Sequence, residues 1–182
     1  YNIKVITLTF DIRNKEEVEL AIQSIKNKNI TIDILLNNAG GAKGLSSIQE
    51  GSIDHWETMI DTNIKGILYI TRLVAPLMID KGEGHIINMI SVAGLISPPL
   101  IASYSASKFG LKAFNNALRR EVAPLGIHVS GIYPGPASTE FGSHVGKSSA
   151  YQSVRSSLGI RLTSAYVAKR VVDIAKRPRR KL

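Results

Sequence analysis

Apolar residues cluster in four short runs: 3–10 (IKVITLTF), 32–38 (IDILLNN), 85–91 (HIINMIS) and 127–133 (IHVSGIY). They are rich in Ile, Val and Leu with little strict alternation, the pattern of strands covered on both faces. Between and after them the apolar spacing turns helical. Val18, Ala21, Ile22 and Ile25 line one face of residues 15–28, where Asn14 and Glu17 make a capping-box-like start. Residues 54–79 predict a long helix that Pro76 kinks near its end. Residues 104–123 predict a helix stopped by Pro124-Leu125-Gly126, and 164–176 predict the last one. Strand followed by helix, repeated along the chain, predicts an α/β domain with a parallel sheet and right-handed crossovers.

The unusual residues fall at one end of that sheet. Asp11 follows the first run, Asn37-Asn38-Ala39-Gly40-Gly41 the second, Ser91 the third and YPGPAST (133–139) the fourth. Ligands of open α/β sheets bind outside the carboxyl ends of the strands, so four polar or glycine-rich ends outline a cleft. Residues 136–163 are rich in Ser and Gly and lack apolar periodicity, which suits a lid or substrate loop.

Composition narrows the options. The 182 residues are 44% hydrophobic and 20% charged, ordinary for one globular domain. With no cysteine, disulfides, thiolate-bound zinc and a thiol nucleophile are excluded. Histidines 55, 85, 128 and 144 show no close metal-ligand spacing, so no metal is expected. Every apolar run breaks well short of the ~18 residues of a spanning segment, so no membrane partner is expected and a cytoplasmic protein is the default. The net charge of +9 owes +6 to residues 169–182. Such a run reads as a solvated terminal face, with no interleaved aromatics to stack on bases, so nucleic acid is not an expected partner.

Tyr104 and Lys108 stand one helical turn apart, so a cation can sit beside the phenol and favour phenolate. Taken with Asp11, NNAG at 37–40, Asn63, Ser91 thirteen residues before Tyr104, and Pro134-Gly135, the chain resembles the short-chain dehydrogenase/reductase family over essentially its whole length. Residues 54–72 followed by 84–91 look most like the NADP-dependent 3-hydroxy acid (serine-type) dehydrogenases of that family. The resemblance implies a Rossmann-like, doubly wound parallel sheet and an NAD(P)-dependent alcohol–carbonyl interconversion on a small-molecule substrate. It makes Tyr104 the proton donor and acceptor, gives Lys108 the tuning of that phenol and the nicotinamide ribose, and has Ser91 orient the substrate oxygen. Asn63 would kink its helix and hold a water of the proton relay. Asp11, Ile12, Asn38, Ala39 and Gly40 fall to the adenosine side of the cofactor, and Pro134, Gly135 and Thr139 to its other half. Taken singly, Asp11 also reads as a turn or capping residue, and Ser91 as a turn serine.

The same resemblance leaves a gap. Relatives begin with a strand, a glycine-rich turn and a helix N-terminus that holds the pyrophosphate, and no such fingerprint occurs here. The expectation is a single domain over 1–182 that is incomplete, lacking its first βαβα unit, with the final strand also in question. The residues that separate NADP from NAD would lie in the absent part, with NADP favoured by subgroup. A homo-oligomer paired through helices 54–80 and 104–123 is expected of the whole protein. A non-catalytic remnant that at most binds a partner stays open.

Overall fold

The computed structural model describes residues 3–138 and 162–178. Three parallel strands form the main sheet in the order β1 (Ile34–Asn37), β2 (Gly84–Met89), β3 (Ile127–Ile132). Register runs from Ile34 opposite His85 to Asn37 opposite Asn88, and from Gly84 opposite Ile127 to Met89 opposite Ile132. Helices fill the crossovers, so all strand ends that carry unusual residues point the same way.

The central strand shows why the fold holds. Ile86 and Ile87 are both fully buried yet point to opposite faces, as successive strand residues must. Ile86 packs with Val74 and Met78 of α3 (Ile67–Lys81) and with Leu118 and Val122 of α4 (Ala102–Val122). Ile87 packs with Ile132 and with Ile174 of the last helix, α5 (Ser164–Lys176). The sheet is therefore covered on both faces, which is the doubly wound arrangement, here on three strands.

Helix α1 (Lys15–Asn27) starts where the cap predicts. Asn14 Oδ1 accepts from the backbone N–H of Glu16 and Glu17 at 3.1 and 3.2 Å. Glu17 closes the turn by accepting from the Asn14 side-chain amide at 2.9 Å and from the Asp11 backbone N–H at 2.8 Å.

Two expectations need correcting. Residues 3–10 form no strand: they belong to no ladder, and Ile3 and Val5 are 72% and 74% exposed. Apolar composition prepares a segment for a sheet, but a strand exists only where a neighbour takes its N–H and C=O groups, and among the described residues β1 is paired only to β2. The stretch 54–79 is also not one continuous α-helix. It consists of α2 (Ile53–Ile60), a π-helical turn (Asp61–Gly66) and α3, which runs through Pro76 to Lys81. The wide turn is set by contacts: a Cβ on Gly66 would stand 2.9 Å from the Ile12 carbonyl oxygen.

A short parallel pair, β4 (Ala137–Ser138) with β5 (Leu162–Thr163), brings together the two chain segments that flank 139–161. Most of the expected 136–163 loop lies outside the described residues.

The packing predicts that Ile86→Ala destabilises the protein by about 2–5 kcal/mol, through lost burial plus a cavity. Leu20→Ala, at a position 71% exposed, should change stability by less than about 0.5 kcal/mol. Urea denaturation of the two variants against the parent checks the contrast.

Candidate active site

Two loops and one helix bring most of the candidate residues together at the carboxyl ends of β1, β2 and β3. Helix α4 supplies the tyrosine and the lysine. Tyr104 and Lys108 lie on its buried face, 8% and 5% exposed. The Tyr104 ring packs with Ala42, Leu45, Met59, Ala93 and Ile101, and the Lys108 ammonium lies 5.9 Å from its centroid. Lys108 Nζ donates to the Met89 carbonyl oxygen at the end of β2, at 3.0 Å. Burial pushes this ammonium down from 10.5 to about 8. It stays mostly charged at neutral pH and is close to losing its proton.

Ser91, two residues beyond β2, has φ 130° and ψ 156°. That is a region almost reserved for glycine, and holding serine there costs of the order of 1–3 kcal/mol. Neighbouring contacts sustain the strain. Ser91 Oγ caps the 3₁₀ turn Val92–Gly94 by accepting from Ala93 N–H at 3.1 Å. Val92 N–H donates to the Pro134 carbonyl at 3.1 Å. Gly94 lies so close to α4 that a Cβ there would meet the Lys108 carbonyl oxygen at 2.9 Å. The serine turn is thus wedged between α4 and the Pro134-Gly135 corner beyond β3.

The loop after β1 closes on the same pair. Gly40 has φ +150°, and a Cβ on it would stand 2.8 Å from Asn63 Oδ1 and 3.3 Å from Lys108 Nζ. Asn63, fully buried in the π turn, uses its whole amide: Oδ1 accepts from Gly41 N–H, and Nδ2 donates to the Gly41 carbonyl and to Ser107 Oγ, each at 2.9 Å. Its side chain ties the glycine loop to α4.

A groove of about 540 Å³ runs from there to the exposed side, lined by Leu8, Phe10, Asp11, Ile12, Leu36, Asn37, Asn38, Ala39 and Ile70. Four of the expected adenosine contacts, Asp11, Ile12, Asn38 and Ala39, share this one groove. A flat, largely apolar ring with a polar rim fits such a lining, and Gly40 leaves room for close approach. The Asp11 carboxylate is engaged by Arg13, at 2.5 Å, and this hydrogen bond holds it below the usual aspartate range. Gly135 faces open space. Thr139 lies outside the described residues.

Several polar residues of the site escape the sequence pattern. Thr71, Asn88, Asn115 and Ser107 are all buried beneath it, and only a polar side chain interrupting an apolar run hints at them. At the far end of β2, buried His85 bonds Ser130 through Nε2 at 2.9 Å, and its imidazole is pushed down to about 4, mainly by burial and then by His128. Among the described residues no group of three or more His, Asp or Glu side chains could hold a metal, and no helix is long and apolar enough to cross a membrane.

Residues 2–150 match the short chain dehydrogenase family. The chain is 41% identical over 142 residues to the NADP-dependent 3-hydroxy acid dehydrogenase YdfG of Salmonella typhi, covering 76% of this chain and 56% of that protein. It is 41% identical over 135 residues to an uncharacterized oxidoreductase of Staphylococcus saprophyticus, covering 74% of this chain and 57% of that one. It thus spans a little over half the length of the curated relatives it matches. Among solved structures, the closed form of a serine dehydrogenase complexed with NADP+ superposes with a TM-score of 0.83 at 34% identity, covering 93% of this chain and 69% of that one. A serine dehydrogenase from Escherichia coli gives 0.80 at 32% identity, covering 95% and 72%.

The depressed Lys108 predicts a pH signature. The native amine gives up its proton near 8, while the unfolded one holds it to about 10.4, so between those values the unfolded chain binds more protons. The penalty for the buried charge is full below pH 8 and fades as pH rises through that window. Stability should therefore rise from pH 8 to about 10 by up to about 3 kcal/mol relative to Lys108→Met. Denaturation midpoints of the two proteins across that range check it.

Proposed function

The chain belongs to the short-chain dehydrogenase family, and from that premise we propose that it is the catalytic part of an NADP-dependent oxidoreductase interconverting an alcohol and a carbonyl. One arrangement carries the reading: Tyr104 and Lys108 on the buried face of α4, closed over by Gly40 from one side and by the Ser91 turn from the other. NADP is chosen over NAD because YdfG is NADP-dependent and the closed serine dehydrogenase holds NADP+.

In this reading the bound nicotinamide cofactor supplies or takes up the hydride. The protein supplies position and a proton. Tyr104 gives its phenolic proton to the carbonyl oxygen during reduction and takes it back during oxidation. Lys108, cationic at neutral pH, stabilises the phenolate that remains, and its compact ammonium also suits a ribose hydroxyl. Ser91 donates its hydroxyl to the same substrate oxygen, which fixes the face presented to the cofactor. Asn63 keeps the loop at 40–41 at its working distance from Lys108. Asp11, Ile12, Asn38 and Ala39 receive the adenosine side in their groove, and Pro134, Gly135 and Thr139 the other half. The 136–163 segment would cover a small-molecule substrate, of the 3-hydroxy acid class if the similarity to YdfG extends to specificity. The same reading places the protein in the cytoplasm as a homo-oligomer, the exposed Leu68 of α3 and Phe109 of α4 offering a second copy an apolar face.

Tyr104→Phe tests the assignment. In the protein carrying these residues, turnover should fall roughly 10²- to 10⁴-fold, the scale of lost general acid–base catalysis. NADP affinity, measured by titration, should change little. Near-normal turnover by the Phe variant would remove Tyr104 from the chemistry.

A further inference from the structure

Beneath the catalytic pair a rung of buried amides crosses the sheet. Asn37 of β1 donates through Nδ2 to Thr71 Oγ1 of α3 at 3.1 Å and to Asn88 Oδ1 of β2 at 2.8 Å. Asn88 Nδ2 donates in turn to Asn115 Oδ1 of α4 at 2.9 Å. All four are at most 3% exposed. The Asn115 amide is half used, because its own Nδ2 is buried without a partner. Leaving a buried donor unmade costs free energy, and an apolar residue here would strand Asn88 Nδ2 in its place. What the amide provides is its oxygen.

That oxygen matters because of where it holds α4. Asn115 stands two helical turns beyond Lys108 on the same buried face. Its acceptor role ties α4 to Asn88, and Lys108 ties α4 to the carbonyl of Met89, the very next residue of β2. One other directional tie of α4 lies just ahead of Lys108, where Asn63 Nδ2 donates to Ser107 Oγ, while its contacts through Leu111, Leu118 and Val122 are apolar and without direction. They set how close the helix lies but not how far it slides or turns.

We propose that Asn115 is a positioning residue: its bond to Asn88 sets the height and rotation of α4 over β2 and so keeps the Lys108 ammonium on the Met89 carbonyl beside Tyr104. Without that tie α4 keeps its polar anchor at Ser107 but not the one beyond Lys108, so its later turns can tilt away from β2 and loosen the Lys108 bond before the core opens. The inference rests on Lys108 being the cation of the proposed site.

The test compares Asn115→Leu with Leu118→Ala, which removes apolar packing one turn further along the same face but no polar tie. Acetylation of Lys108 by acetic anhydride, read by peptide mass spectrometry relative to half-buried Lys112, should rise several-fold in Asn115→Leu and not in Leu118→Ala. The phenolate midpoint of Tyr104, from absorbance titration against the same protein carrying Tyr104→Phe, should move upward in Asn115→Leu alone. Asn115→Ser, which shortens the side chain without adding bulk, gives the same reading should leucine not fit. An unchanged Lys108 to Lys112 ratio in the Asn115 variants, or an equal rise in Leu118→Ala, overturns the proposal. Neither readout needs turnover, so a failed reaction assignment would show in Tyr104→Phe and leave this comparison standing.

Discussion

The contact on which the site depends is a buried ammonium resting on a backbone carbonyl, Lys108 on Met89. A carboxylate there would satisfy the charge more fully, but it would also raise the amine's pKa and cancel much of its field at the phenol. A neutral carbonyl leaves the positive charge unspent. The cost appears as the fall of the lysine to about 8, which still leaves it a cation at neutral pH. Position and electrostatics are therefore one constraint: the amine must be buried to be held, and must not be so buried that it discharges.

Much of the surrounding backbone is shaped by making room for that contact. A Cβ on Gly40 would clash with Asn63 Oδ1 at 2.8 Å and crowd Lys108 Nζ at 3.3 Å, and one on Gly94 would meet the Lys108 carbonyl oxygen at 2.9 Å. The amide of Asn63 fixes the first of these loops, and its helix widens into a π turn where that amide and Gly66 meet Gly41 and Ile12. Ser91 takes its strained backbone where β2 ends and the chain must turn back under α4. Strain of this kind persists only where the neighbours over-determine it, and here a cap, a backbone bond to Pro134 and a glycine contact all do so.

What could be read from the chain, and what could not, divides along physical lines. Helices α1, α4 and α5 and the strands β1, β2 and β3 were legible because each buries a periodic apolar face and carries local start or stop signals, Asn14 with Glu17 being the plainest. Tyr104, Lys108, Ser91 and the loop at 38–40 were legible by spacing and by their place at strand ends. The run at 3–10 misled because pairing is a property of two segments, and only one of them is visible in a hydrophobic pattern. The break in the second helix was placed near Asn63 only by the resemblance, because the π turn at 61–66 is shaped by contacts far away in sequence, Asn63 with Gly41 and Gly66 with Ile12. The amide rung left only a trace: Asn88 in an otherwise apolar strand announces a buried polar group and says nothing of its partner.

The two halves of the site are held with different security. The half that holds Tyr104 and Lys108 is built from β1, β2, β3 and α4, whose contacts run through the fully buried core at Ile86, Ile90 and Leu111. The outer wall of the groove, residues 8–12, is joined to the rest by Ile12 against Gly66 and by the cap of α1, with no ladder behind it. A segment with few buried contacts and no sheet partner opens at lower free energy than the core does. Tyr104 and Lys108 therefore stay in place while the wall at 8–12 can yield first, so the geometry of that pair does not depend on the groove being filled.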